Sequence, residues 1–105
     1  MDDFAVIYEI LRMLRDAMDY DEFDRSRLNA EKFNIRPKRL ENILALLADS
    51  GYVTGISVTS YDNQRDVRVL NPRITLSGLE YLRDNSLMRR AARATKGIKD
   101  VIPGM

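Results

Sequence analysis

Apolar residues recur at helical intervals through the first half of the chain, alternate in its middle, and return to helical intervals towards its end. Phe4, Ile7, Leu11, Leu14 and Met18 are spaced by threes and fours, which predicts an amphipathic helix over about residues 3–18. Arg12, Arg15 and Asp16 fall off that stripe and are expected to face water. The run Asp19-Tyr20-Asp21-Glu22-Phe23-Asp24 is expected to be a connecting loop, because crowded acids repel and oppose the dipole at a helix C-terminus. A short second helix is predicted over about 26–33, with Ser26 as its N-cap and Leu28 and Phe33 turned inward. Asn34 tolerates the left-handed conformation and should stop that helix.

After a turn through Asn34-Ile35-Arg36, Pro37 suits the first position of a third helix, where a missing N–H costs nothing. This helix should run to about Asp49, burying Leu40, Ile43, Leu44 and Leu47, and end at Ser50-Gly51. The period then changes to two. Residues 52–59 are rich in β-branched side chains, and Val67-Arg68-Val69-Leu70 alternates again. The two runs predict an antiparallel hairpin with a polar loop over 61–66, ended by Asn71-Pro72. A further helix is expected to start near Thr75 or Ser77, since Ser77 and Glu80 have capping-box spacing, with Leu76, Leu79 and Leu82 apolar. A last helix is predicted over about 87–102, on a stripe of Leu87, Ala91, Ala94, Ile98 and Val101 or Ile102.

Two short helices joined by a tight turn and followed by a hairpin are the helix-turn-helix order with a β wing. The expected fold is mainly α with a small β-hairpin (α+β): a winged helix-turn-helix with an added C-terminal helix. Its 105 residues are the size of a single domain.

Composition narrows the chemistry. Histidine and cysteine are absent, which removes the commonest general base, the commonest metal ligand and the best nucleophile. No catalytic residue, metal site or cofactor is therefore expected. The acids from Asp19 invite a calcium reading, but the sixth and twelfth positions of such a loop would be Asp24 and Ala30, not glycine and glutamate. No apolar run approaches the roughly 18–20 residues that span a bilayer, and the acidic start is unlike a secretory signal, so a cytoplasmic protein is expected. The net charge is only +1, yet it is unevenly spread. Residues 1–24 carry eight acids against two arginines, a net of −6; the other 81 carry fifteen cations against eight acids, a net of +7.

The segment Asp49-Ser50-Gly51-Tyr52-Val53-Thr54-Gly55-Ile56 and the run from Leu70 to Leu82, with its Thr75, Gly78, Tyr81 and Leu82, resemble the YjcQ-like family. The lysine-bearing end from Thr95 to Ile102 is similar too. That family consists of small winged-helix proteins of Gram-positive bacteria and their prophages. The resemblance implies a phage-related DNA-binding or regulatory protein; it carries over no activity and no functional residue.

Geometry supplies the candidate site. The N-terminal part of the second motif helix enters the major groove in helix-turn-helix proteins, and here it bears Arg36, Lys38, Arg39 and Asn42. Arginine can bridge guanine O6 and N7, asparagine can bridge adenine N6 and N7, and cations also meet phosphates. The wing adds Asn63, Gln64 and Arg65 at its tip and Arg68 on the following strand. The same residues would also suit the solvated face of an amphipathic helix and an ordinary polar loop. Arg89, Arg90, Arg93, Lys96 and Lys99 enrich the last helix, whose alanines would permit a homodimer presenting two recognition helices to paired half-sites.

Two functions follow. The first is a transcriptional regulator holding double-stranded DNA with the third helix and the wing. The second is a winged-helix adaptor that binds protein through its acidic N-terminal segment and last helix. A continuous patch of Arg36, Lys38, Arg39 and Arg65 favours DNA; interruption by Glu41, Asp66 or other carboxylates of the chain favours the adaptor.

Overall fold

The computed structural model describes residues 1–85. Helix α1 covers Asp3–Asp16, capped by Asp2, whose side chain accepts from Ala5 N–H at 2.8 Å. It stops two residues earlier than predicted and passes into a single 3-10 turn, Ala17–Asp19. Its buried face is Val6, Ile10, Leu11, Met13 and Leu14. The predicted stripe therefore holds only in part: Phe4 is 73% exposed and Met18 58%. The chain has two neighbouring apolar rows, and the fold buries a broad sector spanning both. Phe4 lies beyond the edge of that sector, and Met18 lies past the end of the helix.

The single helix predicted over 26–33 is two pieces. A 3-10 turn, Arg25–Arg27, is capped by Asp24, and α2 covers only Ala30–Phe33, capped by Asn29 through Glu31 N–H at 2.9 Å. Ser26 is not a cap. It donates its N–H and hydroxyl to Asp24 Oδ1, at 3.0 and 2.6 Å. Asp24 and Asn29 each offer a side-chain acceptor that competes with continuous helix, and the backbone is extended at Asn29, between the two pieces. Phe33 is buried and Leu28 half-buried, as the pattern predicted. Asn34 closes α2 in the left-handed region, with φ 55°.

Helix α3 covers Pro37–Asp49, with Pro37 in its first turn and Leu40, Ile43, Leu44 and Leu47 buried as expected, joined by Ala45. Gly51 follows at φ +78°, and the N–H groups of Gly51 and Tyr52 return to Ala48 and Leu47 carbonyls.

Strands β1 (Val53–Tyr61) and β2 (Gln64–Ile74) form one antiparallel hairpin. Both strands run further than predicted, and the loop shrinks to Asp62-Asn63, with φ 49° and 63°. Two consecutive positive φ values make the tight turn whose twist matches paired strands, and Asp and Asn are the non-glycine residues that tolerate it. Nor does Asn71-Pro72 end the hairpin. Pairing slips between Thr54 and Ile56, where one residue, Gly55, faces the stretch Leu70-Asn71-Pro72. This bulge admits a proline inside a strand. It also requires glycine: a Cβ at Gly55 would overlap the Asn71 carbonyl, and φ there is +78°.

A fourth helix, α4, begins at residue 76 and is described to residue 85. Thr75 is its cap, accepting from Gly78 N–H at 3.1 Å while its hydroxyl donates to Gly51 carbonyl at 2.6 Å. Ser77 plays no such part, because the threonine is already tied to the end of α3. Leu82 enters the core and Leu79 is half-buried, whereas Leu76 is exposed.

Core residues come from every helix and from Val53, and no polar or charged residue is buried among those described. The arrangement is mainly helical α+β, with a helix-turn-helix and a β-hairpin wing. The predicted helix over 87–102, with its cations, lies outside the described residues.

Candidate interaction surfaces

Helix α3 turns Leu40, Ile43, Leu44, Ala45 and Leu47 into the core, and Leu46 is exposed on its outer side. Arg36, Lys38, Arg39 and Asn42 are all exposed. On the wing, Asn63, Gln64, Arg65 and Arg68 are exposed as well. All eight candidates thus lie on the surface. Pairing divides them.

Arg39 grips Asp3 at the start of α1 with two hydrogen bonds, Nε to Oδ1 at 2.7 Å and Nη2 to Oδ2 at 2.9 Å. This fork geometry, with both groups charged, is the strongest form of side-chain hydrogen bond. The hydrogen bond from Arg39 lowers the Asp3 pKa below its usual value, and the same bond raises that of Arg39. Lys38 Nζ lies 3.5 Å from Glu41 Oε2, one turn along α3. Arg65 reaches from the wing to Asp49 at the end of α3, at 3.4 Å. Arg68 holds Asp66 on its own strand at 3.0 Å. Of the five candidate cations, Arg36 is the one with no carboxylate partner among the described residues. Exposed pairs add little to stability, but they cancel the local field that a polyanion would feel.

The wider field agrees. Residues 1–85 carry twelve Lys or Arg against fifteen Asp or Glu, a net of −3. Residues 86–105 carry five cations against Asp100, a net of +4. The basic surplus seen in the sequence therefore lies chiefly outside the described body.

A second surface arises where the 17–24 segment folds against β2. Residues Leu14, Ala17, Phe23, Pro72 and Ile74 line a small hollow of about 90 Å³, with Met18 and Tyr20 at its margin. A neighbouring hollow of about 370 Å³ adds Arg25 and Leu70 and shares Asp21, Glu22, Phe23, Asn71 and Pro72. Three large apolar side chains here face water: Met18, Tyr20 at 71% and Leu70 at 61% exposed. Asp19, Asp21 and Glu22 are exposed beside them, with no hydrogen-bond or ion-pair partner among the described residues. Asp24 is held by Ser26, whose hydroxyl and then N–H lower its pKa. Two cations border the groove. Arg25 donates Nη1–H to the Val69 carbonyl at 3.0 Å, and Arg73 is exposed.

The sequence marked 19–24 as an acidic connection and missed its contact with β2. Phe23, an aromatic amid acids, was the available signal, together with Leu70 beside Asn71-Pro72. Among the described residues no cluster of His, Cys, Asp or Glu could hold a metal ion, and no helix is long and apolar enough to cross a membrane.

Comparison with known proteins returns no matching curated protein and no matching solved structure. A family model described as YjcQ protein matches residues 8–101, which takes in both halves of the chain. By that match over nearly all of its length, the chain belongs to the YjcQ family.

Proposed function

We propose that this chain is a cytoplasmic, non-enzymatic winged-helix adaptor that docks a basic, apolar-faced segment of a protein partner in the groove between residues 17–24 and β2. One contrast carries the reading. Four of the five cations aimed at DNA are held by the chain's own carboxylates, whereas Asp19, Asp21 and Glu22 are held by nothing described. Exposed Met18, Tyr20 and Leu70 beside those acids have the make-up of a contact patch, with apolar anchors and a charged rim. Tyrosine is enriched among residues that dominate binding energy.

Selection from a peptide library tests this reading. The full chain should enrich peptides in which Lys or Arg alternates with apolar residues at helical spacing. Tyr20→Ala and Leu70→Ser together should reduce binding at least tenfold, with the fold retained by circular dichroism. Enrichment of acidic peptides, or binding indifferent to both substitutions, overturns it.

The regulator reading keeps one specific observation in its favour. Arg36, Lys38, Arg39 and Asn42 stand exposed along the first turns of α3, and Arg36 has no carboxylate partner among the described residues. Phosphates could displace surface carboxylates from such side chains, and a dimer through residues 87–102 would pair two α3 helices on half-sites. A random duplex pool at two salt concentrations decides it. A phage-type DNA regulator binds with affinity that falls steeply as salt rises, through counterion release; the adaptor shows no enrichment.

A further inference from the structure

The wing is a two-stranded sheet, so each strand keeps one edge unpaired. On β2 two observations fix which backbone groups point to that edge. The two-residue turn at Asp62-Asn63 makes Tyr61 and Gln64 a mutually hydrogen-bonded pair, and alternation then turns the N–H and C=O of Arg65, Val67 and Val69 away from β1. In agreement, the Arg25 guanidinium donates to the Val69 carbonyl from outside the hairpin, at 3.0 Å. The outward backbone groups of Arg65 and Val67 have no partner among the described residues. Lysines commonly guard such an edge against pairing with another chain. This one carries charges of both signs: Asp66 and Arg68 flank Val67 on one face of the sheet, 3.0 Å apart.

We propose that the open edge of β2 pairs with the same edge of a second copy of the chain, antiparallel and twofold about Val67. The inference goes beyond the adaptor reading and holds whichever partner the groove takes. A twofold antiparallel pair places one residue opposite its own copy, and the charges select which. Centred on Val67, the pairing sets Asp66 opposite the partner's Arg68 and Arg68 opposite the partner's Asp66. The two internal ion pairs then merge into four alternating charges. Moving the axis one residue either way opposes Asp66 to Asp66 or Arg68 to Arg68, and like charges directly opposite destabilise a sheet. The backbone suits the same register. Val67 exchanges two hydrogen bonds with its copy, which leaves positions 66 and 68 in the closer, non-hydrogen-bonded pairs across the new ladder. Arg65 faces the partner's Val69, whose carbonyl keeps a second lone pair beside the Arg25 bond. Residues 59–65 of the wing are all exposed. A two-stranded ribbon is marginal by itself, and pairing makes it a sheet of four strands.

The test follows self-association of the full chain by sedimentation from micromolar to millimolar concentration, with amide hydrogen exchange read residue by residue. The Val67 amide should exchange at least fivefold more slowly at the high concentration, while those of Asp66 and Arg68, already bonded to β1, change little. Asp66→Arg and Arg68→Asp, each alone, should weaken association at least tenfold with the hairpin retained. Combining both substitutions in one chain should restore it, because the swapped charges are again self-complementary. Mixing the two single variants should give a heterodimer at least as tight as the wild-type pair. A chain that stays monomeric throughout overturns the proposal. So does protection that rises elsewhere with Val67 unchanged, which assigns the contact to another face. Single variants that associate like the wild type, or that neither rescue restores, overturn it as well.

Discussion

The bulge at Gly55 offers the sharpest test of how the groove is built, because it positions the Asn71-Pro72 stretch that forms one wall. Gly51 and Gly55 share the same φ of +78°, but their surroundings differ: an added Cβ at Gly51 meets nothing within 4 Å, whereas at Gly55 it overlaps the Asn71 carbonyl and stands 3.1 Å from Pro72 N. For Gly51→Ala, left-handed strain of about 1–2 kcal/mol is partly offset by about 0.4–1 kcal/mol of lost freedom in the unfolded chain. The net loss is about 1 kcal/mol. Gly55→Ala adds the displacement of backbone atoms that have no rotamer to escape into. Overpacking of this kind costs about 1–3 kcal/mol, so the total is about 2–4 kcal/mol. Urea unfolding followed by circular dichroism measures both. With a slope of about 1.5 kcal/mol per M, the midpoint should fall by about 0.7 M for Gly51→Ala and about 1.3–2.7 M for Gly55→Ala. Equal shifts for the two variants would show that the strands do not approach at Gly55, and the account of the groove wall would go with it.

Other consequences separate the structure from its alternatives. Ile10→Ala removes a fully buried side chain and should cost about 2–5 kcal/mol, while Phe4→Ala should stay within about 0.5 kcal/mol; thermal melts that reverse this order refute the buried sector of α1. The hydrogen bond from Arg39 holds the Asp3 carboxyl below the ordinary aspartate value of 3.8. In acid the unfolded chain binds its proton first, so the stabilisation is present above that value and is lost as pH falls through the lower, folded one. Asp3→Asn should therefore flatten the stability profile in acid, and a carboxyl carbon titration of Asp3 should show its midpoint below 3.8. Arg39→Ala should leave binding of basic peptides unchanged; a loss of duplex binding in that variant would instead support the regulator reading.

Several of these features could be read from the chain and several could not. Asn34, Pro37 and Gly51 announced their turns, because each owns a backbone preference that no tertiary contact needs to supply. The inward leucines of α3 were equally legible, since one apolar row fits one helix face. Helix α1 was harder, because two apolar rows compete and only the packed neighbours choose the sector. The wing was underestimated for a related reason. Polar residues 61–66 look like a loop, yet strand pairing needs only backbone groups and a turn that Asp62-Asn63 can make. The division between Ser26 and Asp24 as caps turned on side-chain acceptors a residue or two away, which spacing does not rank.

For function, the amino-acid order alone determined the helix-turn-helix and wing, the exposure of the cations on α3, and the absence of histidine and cysteine chemistry. These follow from local preference and from which residues avoid water. Tertiary structure alone decided which distant charges meet. Asp3 and Arg39 are 36 positions apart, and Asp49 and Arg65 are 16 apart. Coulombic attraction acts over a few ångströms in space and takes no account of distance along the chain. Only folding could bring Asp3 to Arg39 and Asp49 to Arg65 while leaving the acids beside β2 open.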